Sequence, residues 1–330
     1  TYNADLQPTS EAIVAGGSGL YSATVQHAYE GSGDTSPGRA AGVSLASTYY
    51  DVDYGYDAVG RLNEIVSIST VTEGTNVFQY AYTADSDLLA SLTETNSEFT
   101  ISRAYEDDRD LLTQIKAEIP DGGGGTNVVS QYDYAYDSIG LRSSVVNDGT
   151  AFGTNAEHNI WGYNDRAELT SSYRYVGSNP STTTNEVTAE RRLYSYDPIG
   201  NRQVAYVGSS ITPNPAYTRN SLNQYTATVN PSESFTYDED GNMTEDGTFE
   251  YTWNGENRLI QVEPSTATTN DLRLTFAYDY IGRRVQKVEE EYDGSSWSTN
   301  AVTKFVWDGW LLLAELDGMD SDALTRTHTW

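Results

Sequence analysis

The sequence predicts an all-β fold, an antiparallel array of β-hairpin repeats. One short aromatic motif recurs along most of the 330 residues. Segments with helical periodicity are scarce, and clusters of Ser, Thr, Gly and Asn separate short runs with strand character. A long hairpin array must curl or close, because the exposed edges of an open sheet pair readily with other chains.

The repeated motif is clearest in YGYDAVGRL, residues 54–62. Tyr54 and Tyr56 are two residues apart, so their side chains lie on the same face of an extended strand. Asp57 favours a turn, because its carboxylate accepts hydrogen bonds from backbone N–H groups two or three residues ahead. Gly60 supplies the positive φ that a tight hairpin with a bulge requires. The motif therefore encodes one β-hairpin with a D-x-x-G turn.

About ten copies of the motif occur along the chain, with the second aromatic residue at positions 56, 82, 105, 136, 163, 196, 237, 253, 278 and 307. Repeats of roughly 20 to 30 residues indicate an array in which each unit covers the face of its neighbour. The residues that we assign to the repeat scaffold are Tyr54, Tyr56, Asp57, Gly60, Tyr136, Asp137, Gly140, Tyr196, Asp197, Gly200, Tyr237, Asp238, Gly241, Tyr278, Asp279, Gly282, Trp307 and Asp308.

The repeats predict one continuous domain over residues 50–330, preceded by a segment, 1–49, that continues an upstream array. Two stretches, 85–92 and 107–119, have a pattern that also fits a helix, but both fit strands as well. Because the chain begins Thr-Tyr-Asn without Met, we expect it to be a piece of a longer protein.

The composition limits the classes of function. A net charge of −29 disfavours nucleic acids and anionic membranes as partners, since both are polyanions. The chain has no cysteine, which excludes disulfides, thiolate metal sites and cysteine nucleophiles. No apolar run is long enough to cross a bilayer, so we expect no membrane insertion by this segment. The 26 tyrosines against 7 phenylalanines suit surfaces that are partly hydrated.

These motif copies resemble the YD-repeat family, also called RHS repeats, whose signature is Y-x-Y-D-x-x-G-R/N-R/L. The resemblance covers residues 50–330. Proteins of this family wind a strip of β-hairpins into a hollow spiral shell, which encloses a C-terminal cargo in Tc toxins and bacterial polymorphic toxins. The resemblance therefore implies that this array curls into a spiral shell or partial barrel. Teneurins carry similar shells at cell surfaces. Asp197-Pro198 resembles the motif at which related proteins cut themselves, although an ordinary turn explains it as well.

The resemblance implies a non-catalytic, encapsulating segment of a larger secreted or surface bacterial protein, of the toxin-delivery or adhesion type. Its partners would be an encapsulated C-terminal cargo or neighbouring protein domains. Its location would be extracellular or at the bacterial cell surface.

The alternative is a polysaccharide-acting enzyme of the lyase type, or a glycan-binding module, built on the same array. Lyases remove a proton with Tyr or His while Asn or Arg neutralises the neighbouring carboxylate. His158, Asn159, Tyr163 and Arg166 have these residue types, although a decayed repeat explains them too. Trp310 departs from the repeat pattern and is our candidate for stacking on a sugar.

Two groups of aspartates are candidate calcium ligands, because oxygen ligands suit that cation. They are Asp107, Asp108 and Asp110, and Asp317, Asp320 and Asp322. Exposed acidic loops are common, so we commit to no cofactor, with calcium as the open alternative. The three histidines are not spaced for a zinc site.

Overall fold

The protein is all-β. The computed structural model describes residues 1–15, 21–34, 37–45, 50–69, 74–96, 99–210, 216–229 and 231–330. These residues contain twenty-seven strands, two short 3-10 helices at Thr150–Phe152 and Thr188–Glu190, and no α-helix. The prediction of an all-β antiparallel hairpin array is confirmed. Within the same residues, no helix has the length and apolar character needed to span a bilayer.

The chain divides into two compact units, residues 1–77 with 235–330 and residues 78–234. The repeat geometry described below begins at Tyr2. The predicted boundary after residue 49 stays a prediction.

In the first unit, consecutive strands pair antiparallel from β1 to β5 and again from β19 to β27. The first set is β1 (Ser10–Ala15), β2 (Tyr21–Tyr29), β3 (Ala40–Leu45), β4 (Tyr50–Tyr56) and β5 (Leu62–Ser69). The second set is β19 (Thr236–Tyr237), β20 (Met243–Glu245), β21 (Phe249–Trp253), β22 (Leu259–Pro264), β23 (Leu272–Tyr278), β24 (Arg284–Tyr292), β25 (Trp297–Asp308), β26 (Leu311–Asp317) and β27 (Ala323–Thr327).

Strand β6 (Gly74–Tyr82) leads into the second unit, where consecutive strands pair antiparallel from β6 to β18. The strands that follow are β7 (Leu89–Glu94), β8 (Phe99–Tyr105), β9 (Leu112–Pro120), β10 (Thr126–Tyr136), β11 (Arg142–Asp148), β12 (Glu157–Tyr163), β13 (Leu169–Val176), β14 (Arg192–Tyr196), β15 (Arg202–Val207), β16 (Ala216–Arg219), β17 (Tyr225–Val229) and β18 (Glu233–Ser234). Both stretches with an ambiguous helical pattern therefore form loops and strands.

The D-x-x-G turn joins β4 to β5 through hydrogen bonds to Asp57. Its backbone N–H donates to the carbonyl of Arg61 at 2.9 Å, and its Oδ1 accepts the N–H groups of Val59 at 3.0 Å and Arg61 at 2.9 Å. Gly60 closes the turn with φ 84°, a left-handed conformation that costs a glycine little. The same arrangement recurs at Asp137, Asp197, Asp238 and Asp279.

A β-bulge lies beside the turn in most of these hairpins and orients the second aromatic residue. In the first hairpin Gly55 pairs with Glu64 but Tyr56 pairs with Leu62, so Asn63 is an extra residue on the returning strand. A bulge adds local twist and redirects the neighbouring side chains. The register shifts at the equivalent place in most other hairpins, for example between Ala135 and Tyr136 and between Ala277 and Tyr278.

The two units differ in how much hydrophobic surface they bury. In the first unit the described residues include ten buried hydrophobic side chains, which are Val25, Val43, Leu45, Tyr50, Val52, Ile65, Val285, Val306, Leu313 and Ala314. Tyr50 and Ser67 also hydrogen-bond the last residues of the chain, at His328 O (2.5 Å) and Thr329 Oγ1 (2.9 Å). Among the described residues of the second unit, the hydrophobic side chains buried to this degree are Val145, Tyr175 and Ala205. These described residues therefore form no core like that of the first unit.

Candidate functional site

In most copies of the motif, the second aromatic residue links its hairpin to the preceding one. Its polar tip donates a hydrogen bond to a main-chain carbonyl of that hairpin. The acceptor is the residue that pairs with the previous second aromatic: Tyr136 Oη donates to Leu112 O at 2.6 Å, and Leu112 pairs with Tyr105. We call this bond the aromatic lock.

Eleven aromatic locks occur among the described residues. The tyrosine locks are Tyr29 to Pro8 (2.9 Å), Tyr56 to Ala40 (2.7 Å), Tyr105 to Leu89 (2.9 Å), Tyr136 to Leu112 (2.6 Å), Tyr163 to Arg142 (2.9 Å), Tyr196 to Leu169 (2.8 Å), Tyr225 to Arg202 (3.2 Å) and Tyr278 to Leu259 (2.7 Å). The tryptophan locks are Trp253 to Met243 (2.7 Å), Trp307 to Arg284 (2.8 Å) and Trp330 to Leu312 (2.6 Å). Tyr and Trp serve here because each joins a large apolar ring to a hydrogen-bond donor.

Arginines form a second set of links, from one turn to the next. Arg109 Nη1 donates to Asp137 O at 2.9 Å, and Arg258 Nη1 donates to Asp279 O at 2.7 Å. Arg39, Arg166 and Arg283 make equivalent bonds to Gly60 O, Pro198 O and Gly309 O. A guanidinium has several donors in a fixed plane, so one arginine can bridge two backbones. These arginines thus join neighbouring turns that lie at the same end of the strands.

The pKa values of Asp57, Asp197, Asp238 and Asp279 are lowered, because the ionised carboxylates accept these hydrogen bonds. Hydrogen bonds from Arg61, first from its backbone N–H, hold the pKa of Asp57 below its ordinary range. Burial by itself raises the pKa of Asp197, but hydrogen bonds from Asn201 and the charge of Arg219 outweigh burial and lower it. The turn aspartates therefore act as structural anions.

The candidate catalytic cluster does not come together. His158 is 1% exposed, and its Nδ1 and Nε2 lie 2.6 Å and 3.1 Å from the carbonyl oxygens of Gly177 and Thr182. The imidazole also stacks on Tyr175, with ring centroids 5.2 Å apart. Asn159 follows it in β12 and so faces the other side of the sheet. This arrangement leaves neither ring nitrogen open to a substrate.

The other two members of the cluster also have structural partners. The hydroxyl of Tyr163 forms an aromatic lock. Arg166 pairs with Glu168 at 2.7 Å and donates to the carbonyls of Asp197 and Pro198 in the next turn. The geometry therefore assigns these side chains to holding hairpins together.

The two aspartate groups lie at turns between strands. In the part of the chain that the structure describes, no three His, Asp or Glu side chains are arranged to hold a metal ion. Asp322 pairs with Lys304 at 2.5 Å, and Asp317 caps its own turn by accepting the N–H of Met319 at 2.8 Å. Asp107, Asp108 and Asp110 are exposed. Calcium at these loops stays a prediction.

Trp310 lies at a cleft of the first unit. Its side chain is 68% exposed, in the tight connection between β25 and β26. The cleft has a volume of about 430 Å³. Its lining comprises Tyr278, Gly282, Arg283, Arg284, Phe305, Trp307, Trp310 and Leu312.

No family model matches the chain. The tRNA nuclease WapA of Bacillus subtilis is 35% identical over 141 residues, which are 42% of this chain and 5% of that protein. The double-stranded DNA deaminase toxin A of Burkholderia cenocepacia is 36% identical over 92 residues, 25% of this chain and 6% of that protein. The resemblance to the YD-repeat toxins is confirmed. The chain spans about a twentieth of the length of these relatives.

Among solved structures, the chain is similar to TcdB2-TccC3 without its hypervariable C-terminal region. The alignment covers 92% of this chain and 17% of that one, with 14% identity and a TM-score of 0.37.

Sequence reasoning missed YD repeats at Tyr2 and Tyr29. Tyr29 forms an aromatic lock to Pro8, which pairs with Tyr2. After Tyr2, the side chain of Asn3 takes the place of the turn aspartate, and Leu6 has the left-handed φ of 62° where glycine is usual. An aromatic residue followed directly by Asn is the signal that could have found the first of these repeats.

Proposed function

We propose that this chain forms part of the wall of a YD-repeat shell, which encloses or presents a polypeptide cargo and performs no catalysis of its own. The observation that carries the proposal is that just three hydrophobic side chains are buried among the described residues of the second unit. A domain that folds around its own core buries many more. A sheet with so few buried hydrophobic side chains fits a single-layered shell wall better than a domain with its own core.

The two faces of this sheet differ in chemistry, as the inner and outer surfaces of a wall would. One face carries Tyr80, Leu92, Ile101, Ile115, Tyr132, Tyr134 and Val145. The opposite face carries Gln79, Thr93, Thr100, Glu118, Gln114 and Asp133. On the polar face Gln114 Nε2 donates to Asp133 Oδ1 at 2.6 Å. The locks between hairpins would keep such a wall rigid.

The relatives support a toxin context. Their names describe a nuclease and a deaminase toxin, and the matched region is 5–6% of each protein. We infer that the shared region is the repeat wall and that the cargo differs among these proteins. By the same reasoning, the protein acts outside the bacterial cell or at its surface.

Small-angle X-ray scattering of the purified chain tests the wall. A compact protein of 330 residues has a radius of gyration of about 20 Å. A single-layered wall should give a clearly larger value and a broad distance distribution. A radius near 20 Å would show that the hairpins pack into a solid domain, and the proposal would fail.

A protease assay tests enclosure. A disordered peptide with one cleavage site is fused directly after Trp330, and a control fusion places the same peptide beyond a long Gly-Ser linker. The direct fusion should be cut more slowly than the control, because a wall restricts access from one side. Equal cleavage rates would contradict an enclosing role.

A depolymerisation screen tests the absence of catalysis. Neutral and uronic-acid polysaccharides, with and without calcium, are incubated with the chain. We expect no new ultraviolet absorbance from unsaturated ends. Release of such ends would establish a lyase and overturn the non-catalytic assignment.

A further inference from the structure

The cleft beside Trp310 has a counterpart in the second unit, and the two clefts differ in the charge of the side chains that line them. Both clefts lie beside an aromatic lock, Trp307 to Arg284 O in one case and Tyr163 to Arg142 O in the other. The second cleft, of about 490 Å³, is lined by Asp137, Ile139, Leu141, Ser143, Trp161, Tyr163, Asn164 and Asp165. It therefore presents two carboxylates, whereas the cleft beside Trp310 presents two guanidinium groups.

One of these two guanidinium groups is already neutralised. Arg283 is 7% exposed, its Nε lies 2.6 Å from Asp279 Oδ2, and its Nη1 donates to Gly309 O at 2.6 Å. This residue holds the wall of the cleft in place.

Arg284 differs from Arg283 in this respect. Its guanidinium carbon lies 4.1 Å from the centre of the Phe276 ring, and it forms no ion pair with a carboxylate of the described residues. The aromatic face fixes the position of the cation without cancelling its charge. In a chain with a net charge of −29, this is a local site for an anion.

Aromatic rings dominate the rest of the lining. Tyr278, Phe305 and Trp307 are half-buried and line the cleft together with Trp310, whose side chain is mostly exposed. A volume of about 430 Å³ is in the range of small-molecule sites, which combine apolar walls with few polar groups. An inorganic anion would leave these aromatic faces uncovered.

We propose that this cleft binds an acidic sugar, a hexuronate unit of a glycan. The apolar C–H face of the pyranose ring stacks on Trp310, and its carboxylate pairs with Arg284. The hydroxyl groups stay hydrated on the open side of the cleft. This binding role goes beyond the shell-wall function, and neither requires the other.

The net charge of the protein affects how glycan length and salt concentration change binding. Long uronate polymers are repelled by the acidic surface, and salt screens this repulsion over distances beyond the Debye length of about 10 Å at 0.1 M. Short oligomers therefore bind at low salt, and polymer binding should improve as salt increases.

Calorimetric titration with trigalacturonate, and with galactotriose as the neutral probe, tests the proposal. We expect saturable binding of trigalacturonate and a Kd at least about tenfold weaker for galactotriose, since the neutral trisaccharide lacks the charge-assisted bond. Trp310→Ala and Arg284→Gln should each weaken trigalacturonate binding by about tenfold or more.

Arg142→Gln is the matched control. Arg142 lies over Tyr134 at 4.3 Å, the equivalent position in a hairpin of the second unit, so its removal should leave the Kd unchanged. Circular dichroism shows whether each variant is folded. If Arg284→Gln does not fold, the Kd of the Trp310→Ala variant tests the proposal, because Trp310 is exposed. The proposal fails if trigalacturonate shows no saturable binding up to about 10 mM, if galactotriose binds equally, or if Trp310→Ala leaves the Kd unchanged.

Discussion

The aromatic locks make a quantitative prediction for Tyr278→Phe. The substitution keeps the ring and removes the hydroxyl that donates to Leu259 O at 2.7 Å. A hydrogen bond of this kind contributes about 0.5–1.5 kcal/mol net, and the half-buried position places this lock near 1 kcal/mol. A loss of about 1 kcal/mol corresponds to roughly fivefold faster opening of the hairpins that the lock joins.

Hydrogen exchange measured by mass spectrometry gives this opening directly. Peptides from β21 to β24 should exchange about fivefold faster in Tyr278→Phe. Peptides from β10 to β13 should keep their rates, because repeat arrays are stabilised by nearest-neighbour interfaces.

Tyr280→Phe is the matched control, two residues away in the same hairpin. Its side chain is 88% exposed and makes no hydrogen bond with the described residues, so exchange should not change. Equal effects of the two substitutions, or no effect of Tyr278→Phe, would refute the stabilising role of the lock.

Three further predictions concern the turns and His158. Gly200→Ala should lower the free energy of unfolding by about 1 kcal/mol or more, because Gly200 has a φ of 93°. Gly255 has an ordinary φ and open space around it, so Gly255→Ala should change the free energy of unfolding little. Thermal denaturation measures both variants. Burial raises the pKa of Asp279, but hydrogen bonds from Arg283 lower it overall. The stabilisation of the fold by the ionised carboxylate is therefore present above about pH 4 and is lost as pH falls further. The stability of Asp279→Asn, followed by circular dichroism, should fall less at acidic pH than that of the unchanged protein. His158→Phe keeps the stacking but removes the ring N–H that donates to a loop carbonyl, Gly177 O or Thr182 O, so this loop should be cut faster by protease, at a local cost of about 1–3 kcal/mol.

The hairpins could be predicted from the sequence because their determinants are local. Asp57 and Gly60 act within a single turn, and spacing alone shows their roles. The first repeat escaped prediction because Leu6 holds a conformation that sequence patterns assign to glycine. Local strain of this kind is supported by the surrounding hydrogen bonds, which a sequence does not display.

The candidate sites were harder to predict, because they depend on register between strands. His158 and Asn159 are neighbours in sequence, yet alternate residues of a strand face opposite sides of the sheet. Trp310 could be singled out because it breaks the pattern. Arg284 could not, because the same position in other hairpins holds arginines with a purely local role, such as Arg142 over Tyr134 and Arg202 over Tyr194.

Every aromatic lock ends on a main-chain carbonyl, and this has a consequence for how such chains diversify. A carbonyl is the same whatever side chain the residue carries, so a hairpin need not match the sequence of the hairpin before it. Pro8, Ala40, Leu112 and Arg284 all serve as acceptors. Hairpins can therefore be duplicated, deleted or exchanged between genes by recombination without compensating substitutions in their neighbours.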